Sequence, residues 1–203
     1  MAIVDAEGLD ALSMRRVADE LGTGAASLYA HVAGKDELLQ LLVNLAVSEN
    51  RIPDPDPGNW QEQLKDVVRG IRAGLGAHRD LARACLGRIP TGPEAMDYVE
   101  RFLAILVAAG LPRQVIAYSV DVLALYATST AYEESLFAAR EGQDVEAYIG
   151  EAHAYFRSLP PEQFPHTADL AAELTRCEGD ERFEFGLDAL VRGIAAMRIT
   201  RLG

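Results

Sequence analysis

The sequence predicts an all-α fold in which a small three-helix N-terminal module precedes a larger helical body. Apolar residues recur at helical spacing along most of the chain, while strand-like alternation is scarce. The clearest run, Phe183, Leu187, Leu190, Ile194 and Met197, advances by steps of four, three, four and three along one stripe. Proline and glycine clusters then cut the chain into helix-sized pieces, the densest being IPDPDPGN at residues 52–59.

Taken from the N-terminus, Ser13 is placed to cap a helix with Val17, Ala18 and Leu21 facing inward, and Gly22 ends it. Ala18 and Gly22 suit two crossing helices: a small residue where they touch, and one tolerant of positive φ at the turn. A second short helix is expected at about Ala25–Val32, with Leu28 inward and Ser27, Tyr29 and His31 outward. A third begins near Lys35, with Asp36 and Glu37 in its first turn, where the helix dipole favours carboxylates. Pro53, Pro55 and Pro57 stop it, and Asn59 is placed to cap the next helix, which starts at Trp60. A short helix near Leu81–Leu86 and another over Glu94–Ala109 are separated by Pro90 and Pro93. Gly110 and Pro112 then turn the chain into a long helix lined by Val115, Ile116, Val120, Leu123 and Tyr126. A helix around Asp144–Ser158 runs into a loop opened by Pro160, Pro161 and Pro165. The resulting division is residues 1–50 and residues 51–203, with IPDPDPGN as the boundary; a plain surface loop is the alternative reading of that stretch.

The 203 residues are 49% hydrophobic and 25% charged, which suits a packed core rather than disorder. No uninterrupted apolar stretch is long enough to cross a bilayer, and MAIVDAEG lacks the basic start and apolar core of a signal peptide. Cys85 and Cys177 have no paired spacing and read as reduced thiols of a cytoplasmic protein. No His, Asp, Glu or Cys pair has metal-ligand spacing and no glycine-rich phosphate loop occurs, so neither metal nor cofactor is expected. His31, His78, His153 and His166 are scattered without a nucleophile motif, which argues against an enzyme. The net charge of −12 argues against broad attraction to nucleic acid but leaves room for a small basic face.

Two short helices joined by a glycine turn form the arrangement in which a second helix enters a DNA major groove. Ala25, Ala26 and Ser27 would let the backbone approach closely, and Tyr29 and His31 reach phosphates or base edges. Lys35, at a helix start, can hold a phosphate together with backbone amides. The same spacing also occurs in helical proteins that bind no DNA.

The run LSMRRVADELGTGAASLYAHVAGKDELL, residues 12–39, closely resembles the DNA-binding region of TetR-type transcriptional regulators. Leu28, Tyr29, His31, Lys35, Leu38 and Leu39 match that family's pattern in order and spacing. HRD at 78–80, LGRIPT at 86–91 and FGLDALVRGI at 185–194 extend the likeness to the subgroup that includes the tetracycline repressor. The resemblance implies that Arg15, Arg16, Ser27, Tyr29, His31 and Lys35 face double-stranded operator DNA. It also implies a small-molecule effector cavity in the body, for which alignment points to Val67, Ile71, Cys85, Arg88, Ile89 and Arg101. The tetracycline repressor holds a magnesium-bound drug with a histidine before LGT and a polar amide. Cys85 and Val67 occupy those positions here, so magnesium–tetracycline is not the expected effector. A homodimer is implied as well, with Val120, Leu123, Phe183, Leu187, Leu190, Ile194 and Met197 pairing across a twofold axis; intramolecular core is the alternative for that stripe. The implied mechanism is repression by the effector-free dimer at a palindromic operator, relieved when effector shifts the helix starting at Lys35.

Two departures stand beside the likeness. The family has a longer first helix, often after a basic arm, whereas only MAIV precedes Asp5, as though upstream residues were missing. Within residues 1–50, three basic residues stand against eight acidic ones. A helical small-molecule-binding protein with little DNA affinity therefore remains an alternative, as does a helical enzyme using Cys85 and Arg88.

Overall fold

The computed structural model describes residues 1–139, 145–176 and 179–198; Cys177 and Asp144 lie outside them. Every regular element among the described residues is helical. A six-residue α1 (Ala2–Glu7) and a 3-10 turn at Leu9–Ala11 lead to α2 (Met14–Glu20), α3 (Ala25–Tyr29) and α4 (Lys35–Ser48). The body follows with α5 (Trp60–Gly76), α6 (Leu81–Cys85), α7 (Pro93–Ala108) and the long α8 (Arg113–Ala138). It ends with α9 (Val145–Ser158), α10 (Pro165–Asp169), α11 (Ala171–Leu174) and α12 (Gly179–Ala196).

Local chemistry sets the first turns. The Ser13 hydroxyl accepts from the Arg16 amide at 3.2 Å, capping α2. Gly22 supplies the left-handed turn residue with φ 63°, and the Thr23 amide donates to the Ala18 carbonyl at 2.9 Å. Leu21 departs from expectation: α2 ends at Glu20, and Leu21 swings outward ahead of the turn, 65% exposed. Helix α3 also stops earlier than expected, because the chain bends after Tyr29 to bury Val32 beside Met14, Ala18 and Leu28. Those four residues form a small core of their own, on which Val17 and Leu38 pack.

The main core is continuous across the IPDPDPGN stretch. Ile3, Val4, Leu9 and Leu12 join Leu39, Val43 and Ala46 of α4, and these meet Leu64, Val68 and Leu75 of α5. Trp60, the only tryptophan, is buried in the same core. Asn59 sits before α5 without a side-chain cap; Gln63 ties the proline loop down instead, accepting from the Asp56 amide and donating to the Asp54 carbonyl, both at 2.8 Å. Pro165 opens α10 as its first residue rather than a loop, a position where the missing amide hydrogen costs no helical bond.

The C-terminal stripe is intramolecular core. Leu123, Phe183, Leu187 and Ile194 are buried within the chain and Leu190 packs against the same core, because α12 lies across α5 and α8. Phe183 stacks on Tyr126 at 5.4 Å, and the Arg72 guanidinium lies over the Phe183 ring, 4.4 Å from its centroid. Lys65–Asp188 and Arg69–Glu184 pairs, at 2.6 and 2.7 Å, fasten the same two helices. Of the residues expected to face a second subunit, only Met197 is substantially exposed.

Helices α4 and α5 touch backbone to backbone. A Cβ on Gly74 would lie 2.3 Å from the Ala46 carbonyl oxygen, so only glycine permits this approach. Gly74→Ala must push the two helices apart and is expected to cost about 1–3 kcal/mol, the range for overpacking. A urea titration followed by circular dichroism checks this, with Gly76→Ala, where nothing lies within 4 Å, as the control.

Candidate functional site

Two features of the fold carry chemistry: the surface around α3 and a cavity behind α4. On the first, Ser27, Tyr29, His31, Lys35 and Arg15 are all exposed. The Glu37 carboxylate accepts from the Ala33 amide at 2.6 Å, which fixes the loop leading into α4 and sets Lys35 at that helix's first residue. Arg15 has no ion-pair partner among the described residues. Arg16 differs, since Glu7 at 2.7 Å and Glu20 at 2.9 Å hold its guanidinium and raise its pKa further. It reaches an external phosphate only by giving up those pairs.

The cavity encloses about 650 Å³ of empty space, its mouth included, between α4, α5, α6, α7 and α8. Ile71, Cys85 and Arg88, expected from sequence, line it. The other three expected residues do not. Val67, one turn before Ile71 on α5, is buried in the core, Ile89 is 80% exposed, and Arg101 pairs with Asp97 at 3.0 Å on the outer face of α7. Alignment through loops placed these by register, and register says nothing about which helix face turns inward. Val120, expected at a subunit interface, lines the cavity instead. Sequence reasoning missed Tyr98 and Phe102 on α7, Ala124 and Thr128 on α8, and Val43, Asn44 and Val47 on α4. The spacing of four that joins Tyr98 to Phe102, and Val120 to Ala124 and Thr128, was the available signal.

The lining is mostly apolar, with few polar groups. Burial pushes the Cys85 thiol pKa up, partly offset by Thr128, whose Oγ1 lies 3.8 Å from the sulfur; the thiol is neutral and a poor nucleophile. Gln40 donates to Asn44 at 2.8 Å, and Asn44 donates to the Thr91 carbonyl at 2.9 Å, joining α4 to the loop before α7. The Tyr98 hydroxyl is the one buried side-chain polar atom without a hydrogen-bond partner among the described residues. Burial raises its pKa well above the ordinary phenol value, so it remains a protonated donor.

Ionic and polar contacts sew the N-terminal helices to the body. His78 Nδ1 lies 3.1 Å from both Asp5 carboxylate oxygens, and Arg83 pairs with Asp10 at 2.7 Å. Asp80, held in left-handed geometry with φ 58°, accepts from the Leu9 amide at 3.1 Å. Arg88 donates to the Ala84 carbonyl at 2.8 Å, to the Asp36 carbonyl at 3.3 Å and to the Asp36 carboxylate at 3.0 Å. The same guanidinium therefore touches the cavity and the first turn of α4.

An exposed helix-turn-helix joined through one helix to a cavity in the helical body defines a ligand-responsive DNA-binding regulator. Residues 2–42 match the bacterial regulatory proteins of the tetR family, and residues 52–198 match the tetracyclin repressor-like C-terminal domain. The chain belongs to the tetR family. The HTH-type transcriptional repressor DrrR1 of Streptomyces coeruleorubidus is 32% identical over 206 residues, covering 99% of this chain and 76% of that protein. Crystalline ActR of Streptomyces coelicolor without ligand is 43% identical with a TM-score of 0.87, over 98% of this chain and 94% of that one. ActR in complex with actinorhodin is 44% identical with a TM-score of 0.89, over 96% and 91%. Among the described residues, no helix is long and apolar enough to cross a membrane.

An unpartnered buried hydroxyl is a desolvation penalty in the empty protein. Tyr98→Phe is expected to raise stability by about 1 kcal/mol, the low end for a buried unsatisfied group. A higher melting temperature by calorimetry, without ligand, checks it.

Proposed function

We propose that this protein is a cytoplasmic repressor that binds a palindromic operator as a homodimer and leaves it when a small molecule fills the cavity. The observation that carries the reading is the double membership of α4. Its first residue is Lys35, on the exposed reader surface, while Val43, Asn44 and Val47 on the same helix line the cavity. Residues 1–50 act as the reader and residues 51–203 as the effector-binding and dimerising part. Tyr29, His31 and Ser27 meet base edges and phosphates, Lys35 and Arg15 hold phosphates, and Arg16 supports them from its acidic pairs. A ligand that shifts α4 changes DNA affinity by the usual 1–3 kcal/mol of coupling, roughly 5- to 150-fold. Magnesium–tetracycline does not suit a cavity lined by a thiol, a guanidinium, a phenol, two amides and a hydroxyl, with neither a carboxylate nor an imidazole to hold the metal. The protein acts by binding rather than by catalysis.

Dimerisation uses the outer faces of α8 and α12 rather than the stripe buried beneath them. Tyr118, Val122 and Leu125 on α8 and Phe185 on α12, which is 78% exposed, leave apolar surface facing out of helices that already pack together. Phe185→Glu is expected to convert the dimer to monomer in sedimentation experiments at micromolar concentration; an unchanged dimer would place the interface elsewhere.

On a duplex selected from genomic fragments, Tyr29→Ala and Lys35→Ala are each expected to weaken binding by about 1–2 kcal/mol. Lys35→Ala should also reduce the slope of log affinity against log salt by about one. Fluorescence anisotropy across a salt series measures both, and unchanged affinity in the two variants would move the reader off α3.

A further inference from the structure

We propose that the effector is an apolar molecule bearing an anionic oxygen, and that this oxygen takes Arg88 away from Asp36, releasing the first turn of α4. The inference rests on the repressor reading above and names the ligand chemistry and the trigger. Three observations converge on it.

Val43, Val47, Ile71 and Phe102 give the cavity an apolar lining that suits an apolar body. Two donor residues border that lining: Tyr98, whose hydroxyl has no hydrogen-bond partner among the described residues, and Arg88, whose guanidinium is engaged by Ala84 and Asp36. The phenol is held protonated by burial, so it offers a hydrogen and takes an oxygen. A carboxylate or acidic phenol is the acceptor that such donors suit.

The Arg88–Asp36 pair is unequal. The Asp36 side chain is 93% exposed, so water already solvates it, and an exposed pair of this kind contributes little. An anion inside the cavity meets the same guanidinium with less competing water, where charge-assisted hydrogen bonds are stronger. The ligand therefore wins the guanidinium. Asp36 loses both its carboxylate and carbonyl contacts, one residue from Lys35.

The test uses the full chain and two probes of matched shape, 1-hydroxy-2-naphthoate and its methyl ester, with binding read by calorimetry. The acid should bind wild type, and Arg88→Gln should weaken the acid at least about tenfold while changing the ester less than twofold. Arg88→Lys, which keeps the charge, should fall between. Asp36→Asn removes the competitor and should tighten the acid by about three- to fivefold, the range of an exposed ion pair. In that variant the acid should also change operator affinity less than twofold, since the latch is already open. Absence of acid binding to wild type at millimolar concentration overturns the ligand class. Equal loss for acid and ester in Arg88→Gln, or unchanged acid affinity in Asp36→Asn, overturns the competition. Melting curves of each variant confirm folding. The calorimetric arms contain no DNA, so loss of operator binding would overturn the repressor reading without touching them.

Discussion

The contact between the Gly74 position and the Ala46 carbonyl is the constraint on which the molecule turns. Two helices pressed together at the backbone leave no side chain to repack, so α4 is held firmly near its C-terminal end. Its other end is held differently, by Leu39 in the core and by the contacts of Arg88 with Asp36. Packed interiors resist continuous deformation, so change there comes as small discrete shifts. Under the proposed function, a lever clamped at one end and latched at the other would convert such a shift near the cavity into displacement at Lys35.

Much of this was legible in the chain, and the illegible part has a physical reason. Ser13, Gly22 and the proline run act on their own neighbours, so caps, turns and breaks could be read locally. The stripe through Phe183, Leu187 and Ile194 was read correctly as one helix face. What covers that face is a tertiary matter, and the covering helices are α5 and α8 of the same chain. The cavity shows the same limit. Ile71, Cys85 and Arg88 line it, but Ile89 follows Arg88 directly and points to solvent, and Arg101 is satisfied four residues away by Asp97. Arg88's decisive partner lies 52 residues earlier, and no local pattern announces it.

The acidic excess of the first fifty residues acquires a meaning in the fold. Asp5, Asp10 and Asp36 are answered by His78, Arg83 and Arg88 of the body, and Glu7 and Glu20 by Arg16. Four of the eight acids thus face arginines of this chain, and Asp5 faces the His78 ring. Such exposed and partly exposed pairs add little adhesion. Adhesion comes from the continuous apolar core, and three of these contacts cross from the N-terminal helices to the body. Part of the charge that looked unfavourable for a DNA reader is thus answered within the chain itself.

Trp60, buried at the start of α5, gives the protein an internal optical gauge. The single indole belongs to the body's core, and α2 and α3 contain none. Its emission therefore tracks the dryness of that core and is blind to melting confined to the helix-turn-helix. Far-ultraviolet dichroism, by contrast, counts every helix alike. Any separation between the two signals on heating would reveal the reader unfolding as a unit of its own, with no label added to the chain.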